Sequence, residues 1–100
     1  AEGPINEALR IAPDHADAWH QRGMLYRAWE KHEAALSDFE AAIRANGNNI
    51  DARVQAAAIH HASKNIELAT AAWRGVLALE PDHPLARRRL QQCEQYLATT

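Results

Sequence analysis

The sequence has a single cysteine, Cys93, among its 100 residues. A lone cysteine excludes an internal disulfide framework and leaves no cysteine cluster for a metal ion. Excess charge is also scarce, since the formal net charge is −2 at pH 7, which argues against a general binder of nucleic acids or anionic membranes. No apolar run approaches the roughly 18 residues of a membrane-spanning helix, and no basic segment followed by an apolar one marks a signal peptide. We therefore expect a cytoplasmic protein that binds neither membrane nor nucleic acid.

The motifs of known catalytic and cofactor sites are missing as well. No glycine-rich phosphate loop, nucleophile elbow or pair of catalytic carboxylates occurs. His60 and His61 are adjacent and diverge by about 100° on a helix, and no carboxylate or thiol is expected to join His20 and His61 at ligand spacing. Cys93 has Glu94 beside it and no evident activating base, so we expect an inert thiol. The sequence thus predicts no enzyme, no cofactor and no metal site.

Alanine dominates what the chain does contain. Hydrophobic residues make up 47% of the sequence, and 22 of them are alanines. Alanine buries little area, so the core must come from close packing of helices rather than from bulky side chains. A chain of this length buries only about 60–65% of its unfolded surface, so we expect one small domain, or part of a larger one, of modest stability.

The stretch from Trp19 to Ala42 sets the pattern for the rest of the chain. Its first half places a bulky residue, a small one and an aromatic on one helix face, namely Trp19, Gly23 and Tyr26. Its second half places small, large and small residues on one face of a second helix, namely Ala35, Phe39 and Ala42. Gly23 costs about 1 kcal/mol of helix propensity relative to alanine. We expect two helix backbones to touch there, because a Cβ would push them apart.

This stretch recurs with a period of 34 residues. The segments at 9–15 and 77–83 are alike, and Pro81 follows Pro13 by 68 positions, twice 34. Gly47 stands at the midpoint between the two prolines. A shift of 34 also pairs residues of the same size class: Ala35 with Ala69, Phe39 with Trp73, Ala42 with Val76, and Gly23 with Ala57.

A 34-residue helix–turn–helix unit with these residues resembles the tetratricopeptide repeat (TPR). Residues 16–49 match the family pattern except at Arg22, where leucine is usual, and at Gly47, where proline is usual. Residues 50–83 match less fully, because Arg53 and His60 replace the opening Trp and the Tyr. The resemblance covers about two-thirds of the chain. It implies an all-α fold in which antiparallel helix pairs stack as a right-handed solenoid.

The 34-residue register divides the chain into four segments. Residues 1–15 would be the second helix of a truncated preceding repeat, 16–49 the first full repeat, 50–83 the second, and 84–100 a C-terminal capping helix whose outer face carries Gln91. We predict about six helices, at about 1–12, 16–30, 33–45, 51–62, 66–79 and from 84 onward. Gly47 is expected in a left-handed conformation after the third helix. Asp82 or His83 should cap the last one.

The resemblance implies a non-enzymatic module for protein–protein interaction, a scaffold or adaptor that binds a peptide or partner helix on a concave face. The first helix of each pair would line that face, in rows spaced 34 residues apart. The candidate binding residues are Asp17, His20, Met24, Arg27, Asp51, Val54, Ala58, His61, Arg88 and Gln92. Tyr96 falls in the row of Ala28 and Ala62.

One TPR class clamps the C-terminal carboxylate of heat-shock chaperones with lysine, asparagine and arginine side chains. The corresponding positions here are His20, Met24, Gln55, Leu85 and Arg89. Only Arg89 has the required chemistry, so we expect no such clamp.

Two other functions are compatible with the sequence. The first is that of a homodimer or an assembly module. The first segment could expose an apolar stripe through Ile5, Leu9 and Ile11. Trp29 is either packed over a turn near His32 or is an exposed anchor for a partner or a second copy. The chain could also be a regulatory TPR segment of a larger enzyme. Its composition, rich in alanine, arginine and leucine, suggests a bacterial source.

Overall fold

The computed structural model describes residues 16–99, and these form five helices. They are α1 (Ala16–Ala28), α2 (His32–Ala45), α3 (Ile50–Ala62), α4 (Ile66–Leu79) and α5 (Pro84–Thr99). No strand occurs between residues 16 and 99. The expected all-α helical repeat is therefore confirmed. The predicted helix at 1–12, and with it the apolar stripe of Ile5, Leu9 and Ile11, lies outside the described residues.

Left-handed residues end α1 and α3. Glu30 has φ 60° and Lys64 has φ 62°, and the two positions are 34 residues apart. The N–H of Lys31 donates to the carbonyl of Tyr26, and the N–H of Asn65 donates to the carbonyl of His60. The N–H groups of Glu30 and Lys64 donate to carbonyls three residues earlier, and the two bonds at each turn together form a Schellman motif. This motif ends α1 at Ala28, two residues before the predicted end.

The turn after α2 differs from the prediction. No glycine among the described residues has a positive φ, so the expected left-handed Gly47 is wrong. Asn46 instead ends α2 in an extended conformation, with its N–H donating to the carbonyl of Ala42. Asn49 then caps α3, because its Oδ1 accepts the N–H of Ala52 at 3.0 Å.

His83 caps α5 in the same way, which agrees with one of the two capping residues predicted. Its Nδ1 accepts the N–H of Ala86 at 3.1 Å. His83 lies 34 positions after Asn49, so two chemically different side chains satisfy the same orphan donor at corresponding helix starts.

Burial follows the same period. The residues that the sequence paired by size are all buried: Ala35 and Ala69, Phe39 and Trp73, Ala42 and Val76, Gly23 and Ala57. The starts of the first helices agree too, since Ala18, Ala52 and Ala86 are all buried. Small residues thus surround one large aromatic ring in each helix pair.

The chain divides into two compact units, Ala1–Ala52 and Arg53–Thr100, with the division inside α3. Helices α1 and α2 pack against each other in the first unit, and α4 and α5 do so in the second. Among residues 16–99, no helix is both long enough and apolar enough to cross a membrane.

Phe39 fills the space that a side chain at Gly23 would need. A Cβ built on Gly23 would stand 2.8 Å from Cε1 of the Phe39 ring, closer than real Cβ contacts allow. The neighbour at Gly23 is therefore an aromatic ring, and the expectation of a backbone at this point is wrong. The absence of a Cβ still explains why glycine stands inside a helix.

An ion pair joins α1 to α2 beside this contact. Arg22 donates from Nε to Oδ2 and from Nη2 to Oδ1 of Asp38, both at 2.8 Å, in bidentate geometry. The Asp38 side chain is only 3% exposed. The Arg22 guanidinium also lies over the rings of Trp19, at 5.0 Å, and Tyr26, at 5.6 Å. Arg22, the departure from the family pattern, thus has a buried partner.

We predict that Gly23→Ala lowers the free energy of unfolding by about 1 kcal/mol. Alanine gains about 1 kcal/mol of helix propensity, but overpacking against a buried ring costs about 1–3 kcal/mol. The matched control is Gly75→Ala, whose Cβ would meet only the Nη1 end of Arg53 at 3.1 Å, and which should be neutral or stabilising by up to about 1 kcal/mol. Urea unfolding measures both variants. Equal stabilisation by the two substitutions would contradict the packing described.

We further predict that Arg22→Ala destabilises the protein by about 3 kcal/mol, because Asp38 is left buried without its counter-charge. The double variant Arg22→Leu with Asp38→Ala should recover to within about 1 kcal/mol of the natural protein. The control is Arg74→Ala, which breaks an exposed ion pair with Glu94 at 3.2 Å and should cost less than about 1 kcal/mol. Urea unfolding of the three variants decides, and equal effects of Arg22→Ala and Arg74→Ala would refute the prediction.

Candidate functional site

Four of the ten candidate binding residues lie on α1. Asp17, Met24 and Arg27 are exposed, and Met24 has 41% of its surface accessible. His20 is half-buried, because its ring packs edge-on against Phe39 with the centroids 5.5 Å apart. This face of α1 therefore combines a carboxylate, a thioether and a guanidinium above the Phe39 contact.

The other six candidates lie on α3 and α5. Asp51 is exposed in the first turn of α3, and Val54, Ala58 and His61 farther along α3 are half-buried. On α5, Arg88 and Gln92 are exposed. Taken together, six of the ten are exposed, four are half-buried and none is fully buried.

One side-chain pair corrects the sequence analysis. Cys93 of α5 is buried, as expected, but its Sγ lies 3.6 Å from Nδ1 of His61 on α3. The expectation that Cys93 has no base nearby is therefore wrong. In the tautomer with the ring hydrogen on Nε2 the thiol donates to Nδ1, and in the other tautomer the sulfur accepts from Nδ1. Burial of Cys93 to 1% exposure keeps the thiol from outside reagents.

Tyr96 is not among the ten candidate binding residues, although it falls in the row of Ala28 and Ala62. It is 54% exposed near the end of α5 and lines two open cavities. The smaller, of about 370 Å³, is lined by His61, Ala62, Lys64, Ile66 and Tyr96. The larger, of about 460 Å³, is lined by Lys64, Asn65, Ile66, Glu67, Leu68, Tyr96 and Leu97.

Trp29 is exposed at the turn between α1 and α2, with 47% of its surface accessible. Its ring meets Tyr26 edge-on at 6.2 Å, and the ammonium of Lys31 lies 5.6 Å from its centroid. The ring is thus held by its neighbours and still presents half of its surface to solvent.

The part of the chain at residues 16–99 contains no group of three or more His, Cys, Asp or Glu side chains that could hold a metal ion. The close pair of Cys93 and His61 supplies only two soft ligands. The groups exposed on these faces are aromatic, apolar and charged side chains.

Comparison with known proteins gives one family match. The family described as "Tetratricopeptide repeat" matches residues 16–49. Among curated proteins, a TPR repeat-containing protein of Rhizobium etli is 27% identical over 94 residues. That alignment covers 94% of this chain but only 46% of the relative, so the chain spans about half the length of that protein. The bacterial character expected from composition agrees with this organism.

Solved structures similar to this chain include three domains. The first TPR of Spaghetti (RPAP3), bound to an HSP90 peptide, has a TM-score of 0.84 at 26% identity, over 98% of this chain and 80% of that one. The TPR domain of Arabidopsis OM64 has a TM-score of 0.84 at 19% identity, over 96% and 79%. MamA has a TM-score of 0.89 at 14% identity, over 97% and 57%.

Proposed function

Because the chain is a tetratricopeptide repeat protein, we propose that it is a non-enzymatic module that binds a peptide or a partner helix. The binding surface in this proposal is the concave face expected of the family, formed by the first helix of each pair. Those helices are α1, α3 and α5. The proposal rests on the general role of the TPR fold, which is to mediate protein–protein interaction.

The observation that carries the proposal is the accessibility of the candidate residues. The second helices α2 and α4 each bury one large aromatic side chain, Phe39 and Trp73. On the first helices, six of the ten candidates are exposed and four are half-buried, and the exposed ones include Met24 on α1 and Arg88 on α5. Such a mixture of apolar and charged groups at the surface suits a peptide better than a small apolar ligand.

The similarity to a domain bound to an HSP90 peptide does not extend the proposal to that ligand. Of the five corresponding positions, only Arg89 has the chemistry of a carboxylate clamp, and its Nη1 donates to Oε1 of Gln92 at 2.9 Å. We therefore propose a partner other than a heat-shock chaperone C-terminus, and no nucleic acid. A cytoplasmic location stays a prediction.

Selection from a library of displayed random peptides tests the proposal. We expect binders whose affinity falls at least fivefold in Met24→Lys and in Arg88→Glu, because each variant changes an exposed group on a first helix. Isothermal titration calorimetry with one selected peptide gives the affinities. The unfolding midpoint of each variant should stay within about 2 °C of the natural protein, since exposed substitutions change stability little.

The matched control is Arg44→Glu. Arg44 is also exposed and suffers the same charge reversal, but it lies on the second helix α2. The control should leave peptide affinity unchanged. Equal losses in Arg44→Glu and Arg88→Glu would locate binding outside the first helices, and a selection that yields no binder would reject peptide binding by this chain.

A second candidate function is self-assembly, and the exposed ring of Trp29 favours it. Tryptophan is among the residues most enriched at interaction anchors. The predicted apolar stripe at Ile5, Leu9 and Ile11 would also favour self-assembly, because it would offer an apolar surface to a second copy. The role of a regulatory segment in a larger enzyme stays a prediction, and the length of the Rhizobium etli relative is compatible with it.

Light scattering coupled to size-exclusion chromatography separates the two functions. We expect a constant monomer mass over a hundredfold range of concentration, because the peptide-binding proposal needs no second copy. A mass that rises to that of a dimer, and that returns to the monomer value in Trp29→Ala, would favour assembly through Trp29 instead. Leu79→Ala is the control, since Leu79 is a comparably exposed apolar residue on α4.

A further inference from the structure

The two cavities at Tyr96 form a continuous surface within the second unit. They share Lys64, Ile66 and Tyr96, so one cavity opens beside the other. The larger one brings together three exposed apolar side chains, with Leu68 at 55%, Tyr96 at 54% and Leu97 at 37% accessibility. Clustered exposed apolar groups of this kind mark interaction sites more often than single ones do.

Charge is distributed unevenly between the cavities. The ionisable side chains that line the smaller one are His61, Lys64 and the phenol of Tyr96, with no carboxylate among its lining residues. Within residues 16–99, the Lys64 ammonium has no ion pair. Glu67 lines only the larger cavity. The smaller cavity is therefore suited to an anionic group, and the larger one to an uncharged apolar group.

The corresponding hollow of the first helix pair has a different character. It is lined by Glu30, Lys31, His32, Glu33 and Ala34, which include two carboxylates and no large apolar side chain. By the 34-residue period, Lys64 stands where the first pair has Glu30, and Leu68 stands where it has Ala34. The cationic and apolar surface at Tyr96 is thus a property of the second pair and not of the repeat in general.

The ring of His61 is held in place by a contact with Cys93. Its Nδ1 faces the buried thiol of Cys93 at 3.6 Å, so the ring is oriented from within the second unit. In the tautomer in which the thiol donates to Nδ1, Nε2 carries the hydrogen and can donate it to a ligand.

We propose that these cavities bind a peptide segment in which an acidic side chain stands beside a large apolar one. The carboxylate would bind at His61 and Lys64 in the smaller cavity, and the apolar side chain would pack on Tyr96, Leu68 and Leu97 in the larger. Glu67 would repel a second acidic group in the larger cavity. This inference rests on the proposed function, because it names the chemistry of the partner at one end of the candidate face.

The test uses a pair of small probes, 4-phenylbutyrate and its neutral amide, 4-phenylbutyramide. Titration is followed by ¹H–¹⁵N correlation spectra of the whole chain. We expect 4-phenylbutyrate to bind with a Kd on the order of millimolar, typical of a ligand of this size, with the largest shifts at the amides of Ala62, Lys64, Ile66 and Leu68. The amide should bind at least threefold more weakly, because it lacks the charge that Lys64 recognises.

Variants separate the charge from the apolar contact. Lys64→Gln should weaken 4-phenylbutyrate at least threefold and leave 4-phenylbutyramide unchanged, while Tyr96→Ala should weaken both. The matched control is Arg87→Gln, which removes an exposed cation about 13 Å from Tyr96 along the axis of α5. It should change the affinity for neither probe. Equal binding of the acid and the amide, or equal effects of Lys64→Gln and Arg87→Gln, would overturn the proposal.

Two further outcomes are distinguishable. Shifts at these amides that depend on protein concentration without any probe would indicate a second copy of the chain as the occupant and would overturn the proposal. If displayed peptides bind in a manner sensitive to Met24→Lys and Arg88→Glu while 4-phenylbutyrate causes no local shifts, this inference fails and the proposed function stands. If neither binds, both fail.

Discussion

The contact of the Phe39 ring with the bare Cα of Gly23 sets the distance between α1 and α2, and the other features of the first unit depend on that distance. At this separation the Arg22 guanidinium reaches both oxygens of Asp38 at 2.8 Å. The same ring supports His20 edge-on, so the packing under α1 also fixes a side chain of the candidate binding face. A Cβ at Gly23 would press on the ring at 2.8 Å and disturb all three contacts together. The Phe39 ring therefore contacts both the packed side of α1, at Gly23, and a residue of the candidate binding face, His20.

Equal backbones with unequal side chains explain how the surfaces of the two helix pairs differ in chemistry. Both pairs end their first helix in a Schellman motif with a left-handed residue, and in both cases the helix that follows the pair, α3 or α5, begins with a side-chain cap. At the left-handed position one pair has Glu30 and the other Lys64, and the hydrogen bonds of the turn all come from the backbone. The turn residue is thus free to vary in charge. This freedom places a carboxylate in one hollow and an ammonium in the other.

The fold was predictable because its determinants are local and periodic. The spacing of Gly23 and Phe39, and of Ala57 and Trp73, needs only the helical repeat and the period of 34 to indicate which residues are buried. The Arg22–Asp38 pair was not predictable in this way, since each residue alone looks like a polar surface group and only the three-dimensional contact pairs them. The contact of Cys93 with His61 was missed for the same reason, because 32 positions separate them and neither has a motif. Tyr96 shares a row with Ala28 and Ala62, and only the three-dimensional structure shows its accessibility and the cavities beside it.

The buried Arg22–Asp38 pair also has a consequence for how such repeats can be recombined. In the second helix pair, the positions that correspond to Arg22 and Asp38 are Ala56 and Ala72, which form no ion pair. A chimera that joins α1 to α4 would place the Arg22 guanidinium opposite Ala72 with no carboxylate to meet it, and one that joins α3 to α2 would leave Asp38 buried opposite Ala56. Either exchange carries the cost of an uncompensated charge. The two halves of the first repeat are therefore matched to each other by charge as well as by shape, so gene fusion or duplication can move this repeat only as a complete helix pair.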